Sequence, residues 1–130
     1  MDKKESTKDY IQRYKDKYRK IGDVYCVALG LKVKFTLVGF KHLIFKGSRR
    51  RVNSVIKNRL RLIPLAPYVL KKADEVVETR IRKENIYGGR RSVRYDAIEA
   101  VVGKSNVRVR VVVRTIGEDG QPHFYSIMKY

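Results

Sequence analysis

The chain has 130 residues, of which 31 are Lys or Arg and 13 are Asp or Glu, giving a formal net charge of +18. This length suits one domain with its own hydrophobic core, and a hydrophobic content of 43 % excludes a chain disordered by composition. The charge indicates a polyanionic partner, which can be a nucleic acid, an anionic membrane surface or an acidic protein. The single cysteine, Cys26, excludes an internal disulfide and a cysteine-based zinc site.

The chain shows no segment that would direct it into or across a membrane. Its amino-terminal residues lack the apolar stretch of a signal peptide, and no apolar run approaches the roughly 20 residues that cross a bilayer. We therefore expect a protein without a membrane span that acts in a reducing cytoplasm. Delivery to that cytoplasm as a toxin is compatible with this expectation.

Residues 4–20 are predicted to form a charged helix, which Ser6 or Thr7 would cap. Four apolar or aromatic residues fall at helical spacing on one side of it: Tyr10, Ile11, Tyr14 and Tyr18. Because most other positions are charged, residues 1–22 are interpreted either as a weakly attached arm or as a helix packed along one edge of the main domain, residues 23–130. The tyrosine stripe leaves dimerisation open.

The next 50 residues, 24–73, contain 12 Lys or Arg and no Asp or Glu. Two short strands and three helices are predicted in and around this window: 23–28, 31–36, 38–46, 49–62 and 65–72. Ser48 is the expected N-cap of the second helix. Because these positive charges repel one another, binding of a polyanion would stabilise the segment. The most basic part places His42 among candidate phosphate-binding residues: Lys41, Lys46, Arg49, Arg50 and Arg51.

From residue 75 the apolar period changes to two, which predicts β-strands. Four strands are expected, joined by short, turn-rich links: 75–83, 91–102, 106–116 and 123–128. Short links imply an antiparallel meander, and helices followed by such a sheet define an α+β fold. In the third strand four valines would face the helices: Val107, Val109, Val111 and Val113. The opposite side would carry four residues, three of them arginines: Arg108, Arg110, Val112 and Arg114.

The chemistry that these residues favour is cleavage of RNA without a metal or a cofactor. We find no metal-ligand spacing, phosphate-binding loop or Ser-His-Asp arrangement. RNA carries its own nucleophile, the 2′-hydroxyl, and its cleavage needs a base, an acid and cations that stabilise the phosphate. Histidine suits the two proton transfers because its pKa lies near neutrality, and arginine suits the phosphate.

His123 begins the last strand and would lie near Arg114 or Arg110 of the strand before it. Regular alternation puts three further residues on the side of His123: Tyr125, Ile127 and Lys129. The other side would carry Phe124, Ser126 and Met128. Plainer interpretations stay open, because either histidine could be structural or simply exposed, Ser126 could bond only to the backbone, and the arginines at 49–51 could bind RNA without catalysis.

Four segments within residues 31–130 read Val-Lys-Phe-Thr…Gly-Phe-Lys-His-Leu, Arg-Arg-Arg, Leu-Ile-Pro-Leu-Ala-Pro and Val-Arg-Val-Val-Val-Arg…His-Phe-Tyr-Ser-Ile-Met. Together they resemble the barnase–EndoU–colicin–RelE (BECR) superfamily of ribonuclease toxins, near its branches in phages, mobile elements and contact-dependent inhibition systems. The resemblance implies helices packed on a four-stranded antiparallel sheet and a metal-independent endoribonuclease acting on tRNA, rRNA or mRNA. It also implies an acidic immunity protein or antitoxin as a partner.

The resemblance further implies roles for individual residues. The catalytic candidates are His42, His123, Arg110, Arg114, Tyr125 and Ser126. The RNA-binding candidates are Lys41, Lys46, Arg49, Arg50, Arg51 and Arg108. The chain departs from barnase in lacking an evident glutamate base, since Glu78 and Glu99 fall on predicted strands without a motif around them. A histidine would then be the base, or catalysis would depend on electrostatics alone.

We therefore expect a small α+β ribonuclease in which His42 and His123 transfer protons and Arg110 and Arg114 stabilise the phosphate. The alternative is a non-catalytic, basic nucleic-acid-binding protein of phage or mobile-element origin, which would need neither histidine. A module that binds an acidic protein through the same basic side is the third interpretation. The RNA that is cut, the order of the two histidines, the use of DNA and the oligomeric state stay open.

Overall fold

A computed structural model describes residues 5–130 and shows an α+β fold, as predicted. Residues 1–4, which begin the predicted amino-terminal segment, lie outside this range. The helices are α1 (Thr7–Arg19), α2 (Leu37–Ile44), α3 (Asn53–Leu60) and α4 (Ala66–Lys72), with a 3-10 turn at Ile63–Leu65. The strands are β1 (Val24–Cys26), β2 (Leu31–Val33), β3 (Phe45–Lys46), β4 (Arg49–Arg50), β5 (Glu78–Ile86), β6 (Gly89–Val102), β7 (Val107–Ile116) and β8 (His123–Lys129).

The four long strands form one antiparallel sheet in the order β5-β6-β7-β8, which confirms the predicted meander. On β7, Val109, Val111 and Val113 are buried in the core that the helices cover. Arg110 and Arg114 alternate with these valines and lie on the opposite side of the sheet, which we call the outer face. The valine period was therefore sufficient to predict both sides of β7.

A β-bulge in β8 breaks the alternation predicted for the last strand. Val112 pairs with Ser126 while Val113 pairs with Phe124, so Tyr125 is an extra residue in β8. Phe124 and Ile127 are both fully buried in the core. The prediction that placed these two residues on opposite sides of the sheet is wrong, because a regular period of two cannot include an inserted residue.

The amino-terminal helix α1 packs on the same core as the rest of the chain. Ser6 caps it by accepting a hydrogen bond of 3.1 Å from a backbone N–H of the first turn. Tyr10, Tyr14 and Tyr18 are buried, and the centroid of the Tyr18 ring lies 5.8 Å from that of Phe124. Of the two predicted arrangements, the structure has the packed helix, and the tyrosine stripe faces the interior of its own chain.

The segment between α2 and α3 is a hairpin, and not the start of a helix as predicted. β3 pairs with β4 around a turn at Gly47 and Ser48, so Ser48 is no N-cap. Gly47 has a φ of 63°, a conformation that favours glycine. The predicted helix would also have placed three arginines at the positive end of its dipole. α3 instead begins at Asn53, and Arg49 and Arg50 lie exposed on the hairpin.

Two further features agree with the sequence. Cys26 is a free, buried thiol in β1, and burial raises its pKa. Among the helices of residues 5–130, none is both long enough and apolar enough to cross a bilayer.

Candidate active site

The carboxyl-terminal end of α2 lies against β8 and brings His42 to the bulged residue Tyr125. The two rings stack with their centroids 4.0 Å apart. Gly39 permits this approach, because a Cβ atom at that position would lie 2.2 Å from the carbonyl oxygen of Phe124. A larger residue at position 39 would push α2 away from β8, so Gly39 controls the spacing between the two rings.

Arg114 of β7 lies over the same tyrosine from the outer face. Its guanidinium carbon is 5.4 Å from the centroid of the Tyr125 ring and 6.0 Å from that of Tyr95 on β6. The Nε atom of Arg114 is buried and has no hydrogen-bond partner among residues 5–130. Leaving such a donor unpaired costs free energy, and an oxygen of a phosphate is the partner that a guanidinium binds best. Arg114 is therefore the strongest candidate for a phosphate-binding group.

His42 lies in a strongly positive environment. Burial, assisted by the positive charges of Arg51, Arg59, Arg114 and Lys46, lowers the pKa of His42 to about 4. The imidazole is therefore neutral at pH 7 and free to accept a proton. A phosphate bound among these cations would offset their charge and raise the pKa of His42, so that the proton would be held more firmly once substrate is present.

Two more arginines border His42. The Nε atom of Arg51 donates a hydrogen bond of 3.2 Å to the backbone carbonyl of His42. Arg59 of α3 donates one of 2.8 Å from Nη1 to the hydroxyl of Ser126. Ser126 is itself buried, so the hydroxyl that was predicted to be catalytic orients Arg59 in this structure.

His123 lies on the other side of Arg114. The register of β7 and β8 pairs the two residues directly, in agreement with the expected neighbourhood. Burial is the main cause that lowers the pKa of His123, and the charge of Arg114 lowers it further. Arg114 is thus the one candidate residue whose charge affects both histidines, because it also contributes to the low pKa of His42.

Arg110, four residues before Arg114 on the same strand, is already neutralised. Its Nε atom lies 2.6 Å from a carboxylate oxygen of Glu99, and its Nη1 atom lies 3.7 Å from one of Glu78. Neither glutamate is therefore a free base. Arg110 lines a groove of about 270 Å³ on the outer face, together with Tyr95 and Tyr125. The structure gives Arg110 the contacts of a wall residue, whereas Arg114 has no ion pair among residues 5–130.

The residues predicted to bind RNA fall into two groups. Lys41 and Lys46 are exposed on α2 and on the hairpin that follows it, together with the exposed Arg49 and Arg50. These side chains form a basic surface beside His42. Arg108 stands apart, because it lies six residues from Arg114 along β7, or about 20 Å, and its guanidinium stacks on Tyr130 at 5.6 Å.

Sequence reasoning missed Arg59 and Tyr95. Tyr95 could have been found, because it pairs with Arg114 across β6 and β7 and shares its side of the sheet. Nothing in the sequence pointed to Arg59, whose partner Ser126 is 67 positions away along the chain. Its contact depends on how α3 packs beside the edge strand β8.

Residues 5–130 contain no group of three or more His, Cys, Asp or Glu side chains that could hold a metal ion. The groups that meet around Tyr125 are instead imidazoles, guanidiniums and phenol rings. Such groups move protons, bind phosphate oxygens and stack on bases.

Comparisons of the chain with protein-family models, with curated proteins and with solved structures find no match. The resemblance to the BECR ribonucleases therefore stays a prediction. Function has to be inferred from the site itself.

Proposed function

We propose that this protein is a metal-independent endoribonuclease of the BECR type that acts as a toxin. The observation that carries the proposal is the convergence on Tyr125 of the neutral imidazole of His42 and the guanidinium of Arg114, whose Nε atom has no hydrogen-bond partner among residues 5–130. A base without a proton next to an open phosphate-binding group is the minimum that attack by a 2′-hydroxyl requires.

In the proposed reaction a phosphate of the RNA binds to Arg114. The 2′-hydroxyl oxygen of the preceding ribose attacks the phosphorus and gives its proton to His42. The bond between phosphorus and the 5′-oxygen breaks, and that oxygen takes a proton from the protonated form of His123. The products are a 2′,3′-cyclic phosphate and a 5′-hydroxyl, and exchange with water restores both histidines.

The pKa shifts support this division of roles. The lower the pKa of a group, the larger the share of enzyme molecules in which it is ready to accept a proton. The pKa of His42 is lowered to about 4, which suits the base. His123 has one cation, Arg114, among the causes of its shift, while His42 has four. His123 therefore suits the acid, and the charge of a bound phosphate would raise its pKa.

The basic surface formed by Lys41, Lys46, Arg49 and Arg50 would dock the RNA backbone beside His42. These side chains are exposed, and they lie in the part of the chain that has no acidic residue. The same positive surface suits an acidic immunity protein or antitoxin that would cover the site, since opposite charges steer such partners together. The expected substrate is a tRNA, an rRNA or an mRNA, and the assay below distinguishes among them.

The proposal is tested by incubating the purified protein with total bacterial RNA in EDTA. We expect discrete fragments with 2′,3′-cyclic phosphate and 5′-hydroxyl ends. His42→Ala should slow cleavage by about 10² to 10⁴-fold, the usual contribution of a general base. His123→Ala and the double variant should also be slow. Lys8→Ala, at an exposed position on α1, should cut like the parent and controls for the effect of a substitution as such, while the slow histidine variants, purified in the same way, control for contaminating nuclease.

Two results would reject the nuclease. One is His42→Ala protein that cuts as fast as the parent. The other is intact RNA together with tight, salt-sensitive binding, which would establish the non-catalytic nucleic-acid-binding protein in its place.

A further inference from the structure

Strands β5 and β6 form a two-stranded ribbon that extends past the rest of the sheet. Pairing of β6 with β7 ends at Val93 and Ile116. Four further pairs of β5 with β6 continue beyond that point, from Lys83–Ser92 to Ile86–Gly89. β5 is an edge strand, so the ribbon has no neighbour on that side either. We call residues 80–94 the β5–β6 ribbon, of which residues 83–92 extend beyond β7 and the others still belong to the sheet.

The β5–β6 ribbon is strongly basic. It carries six Lys or Arg and one carboxylate, Glu84. Arg80 and Arg94 pair with carboxylates just outside the ribbon, which leaves four basic side chains: Arg82, Lys83, Arg90 and Arg91. The carboxylate of Glu84 accepts a hydrogen bond from the hydroxyl of Tyr95. At the tip, Tyr87 has a φ of 53° and Gly88 one of 72°, which gives a tight two-residue turn. Tyr87 is 81 % exposed, so the ribbon ends in an open aromatic ring.

The basic residues lie on both sides of the ribbon. The uninterrupted register of β5 and β6 puts Arg82 on the outer face together with Arg91. Lys83 and Arg90 lie on the opposite side, and both are exposed. A ribbon that met a flat partner would need charge on one side only. Charge on both sides fits a partner that surrounds the ribbon with anionic groups.

We propose that the β5–β6 ribbon inserts into a groove of double-helical RNA, with phosphates of the two strands on either side of it. This inference rests on the proposed function, and it names the substrate class as RNA in which a helical stem adjoins the cleaved strand. The part of the ribbon that extends beyond β7, from Lys83 to Ile86, spans about 10 Å before the turn. A two-stranded ribbon fits a groove about 12 Å wide. In double-helical RNA the groove that is wide enough is the shallow one, which also presents 2′-hydroxyl groups.

The ribbon is continuous with the candidate active site. Arg80 and Arg82 line the same outer-face groove as Tyr95 and Tyr125, and the ring of Tyr125 stacks on His42. An RNA that places its stem on the ribbon would therefore send an unpaired strand along this groove toward His42. The two tyrosines offer unpaired bases a surface for stacking.

The test is a binding measurement that does not depend on cleavage. All proteins are full-length and carry His42→Ala, so that the RNA stays intact. One variant removes the outer-face pair, Arg82→Gln/Arg91→Gln, and another removes the opposite pair, Lys83→Gln/Arg90→Gln. The control, Arg19→Gln/Lys20→Gln, removes the same charge from exposed positions at the end of α1. Fluorescence anisotropy is measured with an RNA hairpin and with an unstructured single strand of equal length.

We expect each ribbon variant to bind the hairpin about tenfold or more weakly. Binding to the single strand should change less than about threefold for Lys83→Gln/Arg90→Gln. For Arg82→Gln/Arg91→Gln it should change by more, but by less than for the hairpin, because Arg82 also lines the groove that takes the unpaired strand. The salt dependence for the hairpin should become shallower by about 0.9 for each phosphate that the variant no longer neutralises. The control should change both RNAs equally and slightly. Matching thermal unfolding curves would show that all variants are folded.

Equal losses on the hairpin and the single strand would overturn the inference, as would an effect of only one of the two pairs. Tighter, ribbon-dependent binding to duplex DNA than to the RNA hairpin would overturn the assignment to RNA. Because the assay reads binding alone, a failure of the proposed nuclease would appear in the cleavage experiment and leave this result interpretable.

Discussion

Arg110 and Arg114 lie on one strand, face the same way and are four residues apart, yet their surroundings are opposite. Arg110 is held between Glu99 and Glu78. Arg114 lies over the rings of Tyr95 and Tyr125, and its buried Nε atom has no hydrogen-bond partner among residues 5–130. Both carry a full positive charge, but only Arg114 is left with binding capacity.

The comparison shows how a very basic protein divides its charges between structure and function. On the outer face, the glutamates gather at the Arg110 end, where they stabilise the sheet and neutralise the cation. At the Arg114 end, aromatic rings take the place of carboxylates. The positive charge is therefore not neutralised, and it lowers the pKa of both histidines. Net charge alone cannot identify the binding site, because it counts the two arginines alike.

The largest effect that separates the two ends is expected on catalysis. Arg114→Gln should slow RNA cleavage by about 10² to 10³-fold, because it removes the cation that stabilises the developing charge on the phosphate. Arg110→Gln is the matched control and should change the rate by less than about threefold, since its side chain already serves two carboxylates. Single-turnover rates on one RNA measure both. Equal losses of cleavage rate for the two variants would show that Arg110 and Arg114 do not differ in their contribution to cleavage.

The second difference should appear in the pH dependence of kcat/KM, which reports the free enzyme. The rate should fall below about pH 4, where His42 becomes protonated, and it should fall again above the pKa of His123, which is lowered from its ordinary value. The optimum should therefore lie on the acidic side of about pH 6.5, the ordinary histidine value.

Arg114→Gln should move this profile to higher pH, because it removes a charge that lowers both pKa values. Arg110→Gln should leave the profile in place, as Arg110 is not among the causes of either shift. A parent optimum well above neutrality would contradict the assignment of the two histidines.

The smallest expected effect is on the free energy of unfolding. Here Arg110→Gln should have the larger effect and Arg114→Gln the smaller one. Arg110→Gln should lower the free energy of unfolding by about 1 kcal/mol, because it leaves the half-buried carboxylate of Glu99 without its partner. Arg114→Gln should cost less, since it breaks no ion pair within residues 5–130. Urea unfolding followed by circular dichroism measures the difference. A larger loss for Arg114→Gln would mean that Arg114 has a structural role.

Much of the fold could be predicted from the sequence, because its strongest signals are periodic. The valines of β7 defined the sheet and its two sides. The basic stretch around Arg49 and Arg50 has no apolar period, so nothing distinguished a helix from the hairpin that forms. The bulge at Tyr125 could not be predicted either, because alternation assumes one residue for each position of the partner strand.

The site could be predicted only in part, for a related reason. His42, Arg114 and Tyr125 were found by their chemistry, but their meeting depends on long-range packing. The contact of α2 with β8 requires Gly39, whose role is visible only once Phe124 is known to lie against it. No local feature of the sequence pointed to Arg59, because its partner Ser126 lies on a strand that is distant along the chain.

The bulge in β8 makes the fold and the proposed activity separable by a single residue. If Tyr125 were deleted, Phe124 and Ser126 would pair with consecutive residues of β7, and Phe124 and Ile127 would remain in the core by ordinary alternation. His42 would lose the ring on which it stacks. Under the proposed function, such a shortened chain should fold and should cleave RNA more slowly than the intact chain, because this stacking contact no longer positions His42.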